Sequence, residues 1–197
     1  MKKEDRIQGI DLFHDYNLQV STRTIYFGKG SADFNSSLDE VDCDSAAQAI
    51  KNFLILDNIS KEEIIFYLNS PGGSWEDGIA VYDIIKSLSS PVKIIGVGKV
   101  YSMGSVIIQA GIERLITNNT ALMIHDGSSG YVGDTKSSEA WNDFGKKIRY
   151  DMYKIYFDKM VKAKPAITLK DIEDMCGHDK IFDAKQAVEY GLVDRII

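Results

Sequence analysis

The chain has only three histidines, and any serine-hydrolase chemistry would have to use one of them. A serine nucleophile needs an imidazole base that is held in one tautomer. His14 lies in a polar N-terminal segment, and His178 lies in a predicted loop. His125 directly follows the apolar run Ala121–Ile124, which predicts a buried strand, and strand ends carry active sites in α/β folds. A histidine in this position is more often structural than functional, but His125 is the best candidate base.

Ser102 is the candidate nucleophile, because it lies where a predicted strand at 92–97 and a predicted turn at 98–101 meet an apolar helix. The first turn of a helix presents unpaired backbone N–H groups and the positive end of the helix dipole. A serine there is more often only a helix cap. Val100 also stands where the nucleophile-elbow motif G-x-S-x-G has its first glycine. The pattern by itself leaves both interpretations open.

A glycine pair, Gly72 and Gly73, ends the segment NSPGG at 69–73, directly after the apolar run 64–68. Glycine frees the backbone to turn its N–H groups towards a ligand. An oxyanion hole made of such groups contributes about 3–4 kcal/mol per donor to transition-state stabilisation. The alternative is a strand-to-helix turn that needs glycine for its backbone conformation alone.

The elements that would position these residues alternate between strands and helices, which predicts an α/β fold. Apolar runs predict strands at Thr24–Phe27, 64–68, 92–97, 114–117, Ala121–Ile124 and 192–197. Helical spacing predicts helices after Asp44 or Ser45, at 75–88, 102–110 and 138–162, from Thr168, and at 183–190. The first helix should bury Ala46, Ala49, Ile50, Phe53 and Leu54. We predict a polar N-terminal arm at 1–22, a single domain at 23–197, and loops at 33–44 and 128–137.

The composition argues against several classes of function. The net charge of -6 and the lack of a recurring basic stripe disfavour a nucleic-acid partner. No apolar segment is long enough to cross a membrane, and no signal-peptide pattern follows Met1. Cys43 and Cys176 have neither metal-binding nor redox spacing. We therefore expect free thiols, no metal site and a cytoplasmic location.

Five segments in order resemble the proteolytic subunit of the Clp protease. They are YLNSPGGS at 67–74, GIAVYD at 78–83, YSMGS at 101–105, ALMIH at 121–125 and AVEYGLVD at 187–194. The resemblance extends from about Arg23 to the C-terminus. It implies a crotonase-like fold of repeated β-β-α units with a protruding long helix.

The resemblance also implies the catalytic roles. Ser102 would attack the peptide carbonyl, His125 would accept its proton, and Asp179 would orient the histidine. Asp179 is chosen by counting back from the matching segment 183–187, with Asp174 and Asp171 as the remaining candidates.

Substrate and partners follow from the same resemblance. The backbone N–H groups of Gly73 and Met103 would form the oxyanion hole, and Gly130 and Gly133 fall where the family pairs an extended polypeptide with a strand edge. The family forms two stacked seven-membered rings that an AAA+ unfoldase supplies with unfolded polypeptide. No metal or cofactor is implied, since only the partner unfoldase uses ATP.

Three features depart from the family pattern. His178 stands where the family often has arginine, and Gly177 replaces an acidic residue, which puts the coupling between rings in doubt. Asp126-Gly127 replaces the usual Gln-Pro, so Asp126 is a potential competitor for His125. The segment before residue 44 matches poorly, which makes docking of an unfoldase the least secure expectation.

Other functions stay open on the sequence. A phage-type capsid or prohead protease could have the same fold, and an inactive ring subunit could serve only as a scaffold. A signal-peptide-peptidase-like enzyme is disfavoured, because it usually has a Ser–Lys pair and a membrane anchor. An acyl-CoA enzyme of the crotonase type would not need Ser102 and His125 together.

Overall fold

The computed structural model describes residues 13–28, 40–128, 130 and 133–197, and its strands and helices confirm the predicted α/β class. The strands are β1 (Leu18–Gln19), β2 (Thr24–Phe27), β3 (Ile64–Ser70), β4 (Val92–Tyr101), β5 (Glu113–Ile116), β6 (Ala121–Ile124), β7 (Lys180–Phe182) and β8 (Arg195–Ile196). The α-helices are α1 (Cys43–Ile59), α2 (Trp75–Ser87), α3 (Met103–Ile107), α4 (Thr135–Ala163), α5 (Leu169–Cys176) and α6 (Ala184–Glu189).

The strands form one sheet in the order β1-β2-β3-β4-β5-β8, with β6 paired to β4 and β7 paired to β6. Strands β2, β3, β4 and β5 are parallel to one another, and so are β6 to β4 and β8 to β5. Among the strands of the described residues, only β1 and β7 run antiparallel to their partners, β2 and β6. Because parallel strands end at the same edge of a sheet, the carboxyl ends of β3, β4 and β6 bring their following loops together.

The end of β4 is redirected by an irregularity in its backbone. Residues 93–96 pair with β5, whereas residues 99–101 pair with β6. Gly98, with φ of +70°, lies between these halves, opposite a register shift between Leu68 and Ser70 of β3. Such irregularities bend a strand and re-aim its end. The predicted turn at 98–101 is therefore wrong, because these residues continue β4 towards Ser102.

The core lies between the sheet and its helices, and aromatic rings mark its centre. Phe66 of β3 contacts Phe27 of β2 and Phe53 of α1, with ring centroids 5.9 and 5.0 Å apart and edge-to-face geometry. Burying such a side chain contributes about 1.5–3 kcal/mol to folding. These contacts anchor β2, β3 and α1 as one unit beneath the loop that carries the glycine pair.

Helix α1 differs from its prediction at both its start and its buried face. Asp42, rather than Asp44 or Ser45, caps the helix, and its side chain accepts a hydrogen bond from the Ser45 N–H. Leu54 was expected in the core but is 49% exposed. The buried positions are Ala46, Ala49, Asn52, Phe53 and Leu56. Leu54 lies about 100° around the helix from Phe53, on the solvent side.

The long helix α4 begins at Thr135, before the predicted start at 138, because the Asp134 side chain accepts a hydrogen bond from the Ser137 N–H. Its buried residues all lie in its second half: Met152, Tyr153, Tyr156 and Met160. The first half has no buried residue and projects from the core. This is the arrangement expected for a protruding long helix.

Several sequence predictions concern the ends of the chain and the loops. Residues 1–12 of the predicted arm, residues 29–39 with most of the acidic loop, and residues 129, 131 and 132 lie outside the described part of the chain. Within the predicted arm, β1 pairs with β2, and the division at residue 23 stays a prediction. The predicted strand 192–197 is wrong in extent, since only Arg195–Ile196 is strand. In the described ranges, no helix is long and apolar enough to cross a membrane.

Candidate active site

Ser102 lies in the turn between β4 and α3 with φ of 50° and ψ of -122°, a conformation that non-glycine residues rarely adopt. Its N–H donates to the Met123 carbonyl at 2.9 Å. Its carbonyl accepts from the Ser105 N–H at 2.9 Å and from the Ser105 hydroxyl at 2.6 Å. A strained backbone costs about 1–3 kcal/mol and persists only where its surroundings impose it. The turn is therefore a sharp strand-to-helix elbow, although Val100 departs from the sequence motif.

Gly72 packs directly against this turn. Its φ is +100°, and a Cβ at this position would lie 2.4 Å from the Ser102 Cβ and 2.9 Å from the Ser102 Oγ. Any larger residue would displace the serine. The sequence singled out the glycine pair for its exposed N–H groups, and close packing is a second reason for glycine that needs tertiary contact to be seen.

The three residues predicted as catalytic are joined by hydrogen bonds. His125 Nε2 is 2.8 Å from Ser102 Oγ, and His125 Nδ1 is 2.9 Å from Asp179 Oδ1. An ionised carboxylate only accepts hydrogen bonds, so Nδ1 carries a hydrogen, and this N–H donates a hydrogen bond to Asp179. Nε2 is then free to accept the Ser102 hydroxyl proton. The side chain of His125 is 25% exposed and that of Asp179 is 67% exposed.

The competing carboxylates are engaged elsewhere. Asp171 accepts hydrogen bonds from Thr168 in a capping box at the start of α5, and Asp174 forms an ion pair with Lys170 at 3.0 Å. Asp126, the suspected competitor for His125, accepts a hydrogen bond from the Tyr153 hydroxyl at 2.6 Å. The carboxylate that hydrogen-bonds His125 is therefore Asp179.

The backbone N–H groups of Gly73 and Met103, which the sequence predicted as oxyanion donors, are not used by the bridge and the helix to which these residues belong. Gly73 bridges to Val41, because the Val41 N–H donates to the Gly72 carbonyl at 2.7 Å and the Ser74 N–H donates to the Val41 carbonyl at 2.8 Å. In a parallel bridge, the residue between those bonded groups turns its own N–H the other way. Met103 begins α3, where the N–H has no acceptor within the helix.

The remaining predicted residues lie at the surface. Gly130 and Gly133 are exposed before α4, and a Cβ on Gly130 would meet nothing within 4 Å. His178 is exposed beside Asp179, and His14 is exposed near the N-terminus. No cluster of three or more metal-ligating side chains occurs in the part of the chain that the structure describes. Cys43 and Cys176 are free thiols, the first exposed and the second buried.

Two residues near the nucleophile were missed by the sequence reasoning. Ser105 binds the Ser102 carbonyl, and its hydroxyl is 2.7 Å from that of Tyr156 in α4. Ser105 falls inside the matched segment YSMGS, which is a signal for the segment but not for this role. Tyr156 is about 50 residues further along the chain, so only the fold brings them together.

Comparison with known proteins agrees with this geometry. The Clp protease family model matches residues 36–197. The chain is 34% identical over 160 residues to an ATP-dependent Clp protease proteolytic subunit of Deinococcus radiodurans, covering 80% of this chain and 76% of that one. It is 32% identical over 138 residues to the ATP-dependent Clp protease proteolytic subunit 2 of Tropheryma whipplei, covering 69% and 74%.

The fold and these similarities define the class of the protein as a serine-type endopeptidase. The chain belongs to the Clp protease family, and its sheet and long helix α4 are the fold of that family. The family match begins at residue 36, later than the start near Arg23 that the sequence resemblance suggested.

Proposed function

We propose that this chain hydrolyses peptide bonds of unfolded polypeptides by acyl transfer to Ser102, with His125 as general base and Asp179 as its orienting carboxylate. The observation that carries the proposal is the continuous hydrogen-bonded series from Ser102 through His125 to Asp179, at 2.8 and 2.9 Å. These distances are within the reach that proton transfer requires.

In the proposed reaction, Ser102 Oγ forms a bond to the substrate carbonyl carbon while its proton moves to His125 Nε2. The tetrahedral intermediate then expels the amine, which takes the proton from His125. Water repeats the sequence on the acyl-enzyme and restores the Ser102 hydroxyl. Asp179 stabilises the imidazolium and keeps Nδ1 protonated throughout.

The oxyanion would be bound by the N–H groups of Gly73 and Met103. Each such donor lowers the barrier by about 3–4 kcal/mol. Support comes from the bridge to Val41, which turns the Gly73 N–H outward, and from the position of Met103 at the start of α3. Gly130 and Gly133 would bind extended substrate along their exposed backbone, and a Cβ on Gly130 would meet nothing within 4 Å.

We further propose a ring assembly of identical chains, supplied with substrate by an ATP-dependent unfoldase in the cytoplasm. The relatives are named as subunits of an ATP-dependent protease, which supports an ATP-using partner. Exposed apolar side chains on α1 and α4 support contact with further chains: Leu54, Ile55, Ile59, Trp141 and Phe144. The enzyme itself would need no cofactor.

The test is a fluorophosphonate probe, which phosphonylates an activated serine, applied to the wild-type protein and to variants. We expect one adduct at Ser102, located by peptide mass spectrometry, and none in S102A or H125A. S87A, at an exposed serine of α2, is the matched control and should label like the wild type. Absence of an adduct in a well-assembled wild-type oligomer would favour the inactive scaffold.

A second measurement separates the possible tasks of an active enzyme. Degradation of an unfolded casein, with and without an added unfoldase and ATP, should occur at many sites. Cleavage restricted to one site of one capsid-type protein would favour the phage maturation protease. Native mass spectrometry of the same sample gives the number of subunits.

A further inference from the structure

One face of α4 carries two tyrosines whose hydroxyls reach the loops of the candidate triad. Tyr156 is fully buried, and its hydroxyl lies 2.7 Å from the Ser105 hydroxyl. The Ser105 hydroxyl donates its single proton to the Ser102 carbonyl at 2.6 Å. Tyr156 must therefore be the donor to Ser105, which gives a directed series from Tyr156 through Ser105 to Ser102.

This series of hydrogen bonds ends at the carbonyl of Ser102, the residue of the site with the strained backbone. The Ser102 carbonyl already accepts the Ser105 N–H, and the Ser105 hydroxyl is its second donor. A positive φ at a serine requires such support. Successive hydrogen bonds in a buried site also strengthen one another, so loss of the Tyr156 donor weakens the bond from Ser105 to Ser102.

Tyr153, one turn earlier on the same face, reaches the other two loops. Its hydroxyl donates to Asp126 at 2.6 Å, directly after His125. The Asp126 N–H donates to the Cys176 carbonyl at 2.7 Å, three residues before Asp179. Asp126 therefore joins α4, the His125 loop and the Asp179 loop in one set of contacts.

Both phenols remain donors over the working range of pH. Burial, followed by the hydrogen bond to Asp126, raises the pKa of Tyr153, and burial raises the pKa of Tyr156. Neither hydroxyl ionises near neutral pH, so neither bond is lost by deprotonation.

We propose that Tyr156 and Tyr153 are positioning residues: Tyr156 fixes Ser102 through Ser105, and Tyr153 fixes His125 and Asp179 through Asp126. The inference rests on the proposed function, because it concerns how those three groups are held. It gives α4 a direct part in the geometry of the site, and it assigns a role to Asp126, which replaces the family's glutamine.

The test uses the full-length assembled protein with Y156F and Y153F, which remove only a hydroxyl. Each should lower kcat for a peptide substrate, and the rate of Ser102 phosphonylation, by about fivefold to tenfold, since a buried hydrogen bond contributes about 1 kcal/mol. KM should stay within about twofold, because both tyrosines are buried and not accessible to a substrate. Y150F, on the exposed part of the same helix, is the matched control and should leave both rates unchanged.

Double-mutant cycles separate positioning from general stability. Y153F should add nothing to D126A, and Y156F should add nothing to S105A. D126N keeps an acceptor for Tyr153 and should retain the wild-type rate. Asp126 is exposed, so its variants test the same contact without altering the core.

Four results would overturn the inference. Rates within twofold of wild type for both tyrosine variants would remove it, and so would additive effects in both cycles. Rate losses that disappear once activity is divided by the folded fraction from circular dichroism would assign the tyrosines to stability alone. A wild-type protein that does not label at Ser102 would overturn the proposed function and this inference with it.

Discussion

The nucleophile turn and the loop of the candidate acid are held in opposite ways. Ser102 is fixed through its backbone, with Met123 on its N–H, Ser105 on its carbonyl and Gly72 packed against its Cβ. Asp179 contacts His125 through one side-chain hydrogen bond, and its side chain is 67% exposed. Exposed pairs of this kind contribute about 0–1 kcal/mol, so the fold constrains the acid less than the nucleophile.

This difference shows where the site can tolerate change. Substitutions around Ser102 meet packed backbone, so they should alter geometry as well as chemistry. Substitutions around Asp179 meet solvent, so they should alter chemistry alone. Each prediction below tests one side of this contrast.

The largest effect is expected for D179N. Loss of the carboxylate removes the acceptor that keeps Nδ1 protonated, and kcat should fall by about 10³-fold, less than the roughly 10⁴-fold of a buried triad, because water reaches this position. Assembly and the thermal midpoint should not change. Steady-state hydrolysis of a fluorogenic peptide measures the effect.

D174N is the matched control for that variant, since Asp174 is exposed and pairs with Lys170. It should retain full activity. A large loss in D174N with near-normal activity in D179N would move the orienting role to Asp174.

The next effect is expected for G72A. The added Cβ would overlap the Ser102 side chain, and a shift of the nucleophile by about 1 Å costs roughly 100-fold in rate. The thermal midpoint should fall as well, because φ of +100° disfavours alanine. Phosphonylation kinetics and a melting curve measure both quantities.

G145A provides the comparison for G72A. Gly145 lies in the exposed half of α4, where a Cβ would only reach Arg149 at 3.8 Å. Alanine should leave activity unchanged and stabilise the helix by up to about 1 kcal/mol. Equal phosphonylation rates and equal thermal midpoints for G72A and G145A would contradict the claim that close packing against Ser102 requires glycine at position 72.

A smaller effect is expected in the alkylation of the two cysteines. Burial, with the Asp126 charge second, raises the pKa of the Cys176 thiol to about 12, so at pH 8 only about one molecule in 10⁴ carries the thiolate. Iodoacetamide should modify Cys176 at least about tenfold more slowly than exposed Cys43. The rate should rise with pH as pH approaches the pKa.

The alkylation rate of Cys176 also reports on the loop that carries Asp179, because the Cys176 carbonyl at its start accepts a hydrogen bond from the Asp126 N–H. Time-resolved mass spectrometry of tryptic peptides gives both rates in one sample. If Cys176 reacts as fast as Cys43, the loop that carries Asp179 opens on the timescale of the reaction. The difference in rigidity between this loop and the Ser102 turn is then larger than the structure suggests.

The smallest effects are expected for G177A and H178R. Gly177 has φ of -60°, and a Cβ there would meet only ordinary contacts at 3.6 and 3.8 Å. His178 is exposed, so arginine should fit without strain. Peptide hydrolysis should stay within about twofold of wild type. A larger change in H178R, with a shift in oligomer size by native mass spectrometry, would indicate that this loop contacts another chain.

Much of the fold could be predicted from the sequence, because continuous apolar runs and helical spacing report burial directly. The runs that form β2, β3 and β6 were recognisable, and so was the end of α4, which was predicted at residue 162 and lies at Ala163. The predictions were wrong where contacts between distant segments determine the secondary structure or the burial of a residue. Leu54 satisfies a loose helical spacing yet faces solvent, and residues 98–101 look like a turn yet pair with β6.

For the site, residue types and positions by themselves singled out Ser102, His125 and the glycine pair as candidates. The five ordered segments indicated the family, and this resemblance added Asp179 as the preferred acid, with Asp174 and Asp171 as alternatives. The tertiary structure decided which carboxylate reaches His125, because the contacts of Asp179 with His125 and of Asp126 with Tyr153 join segments that are far apart in the chain, and spacing does not encode them. It also decided the partners of Ser105 and Tyr156, which are far apart in the chain. Hydrogen bonds between distant segments depend on how the sheet and α4 pack, and a single sequence carries no local signal for them.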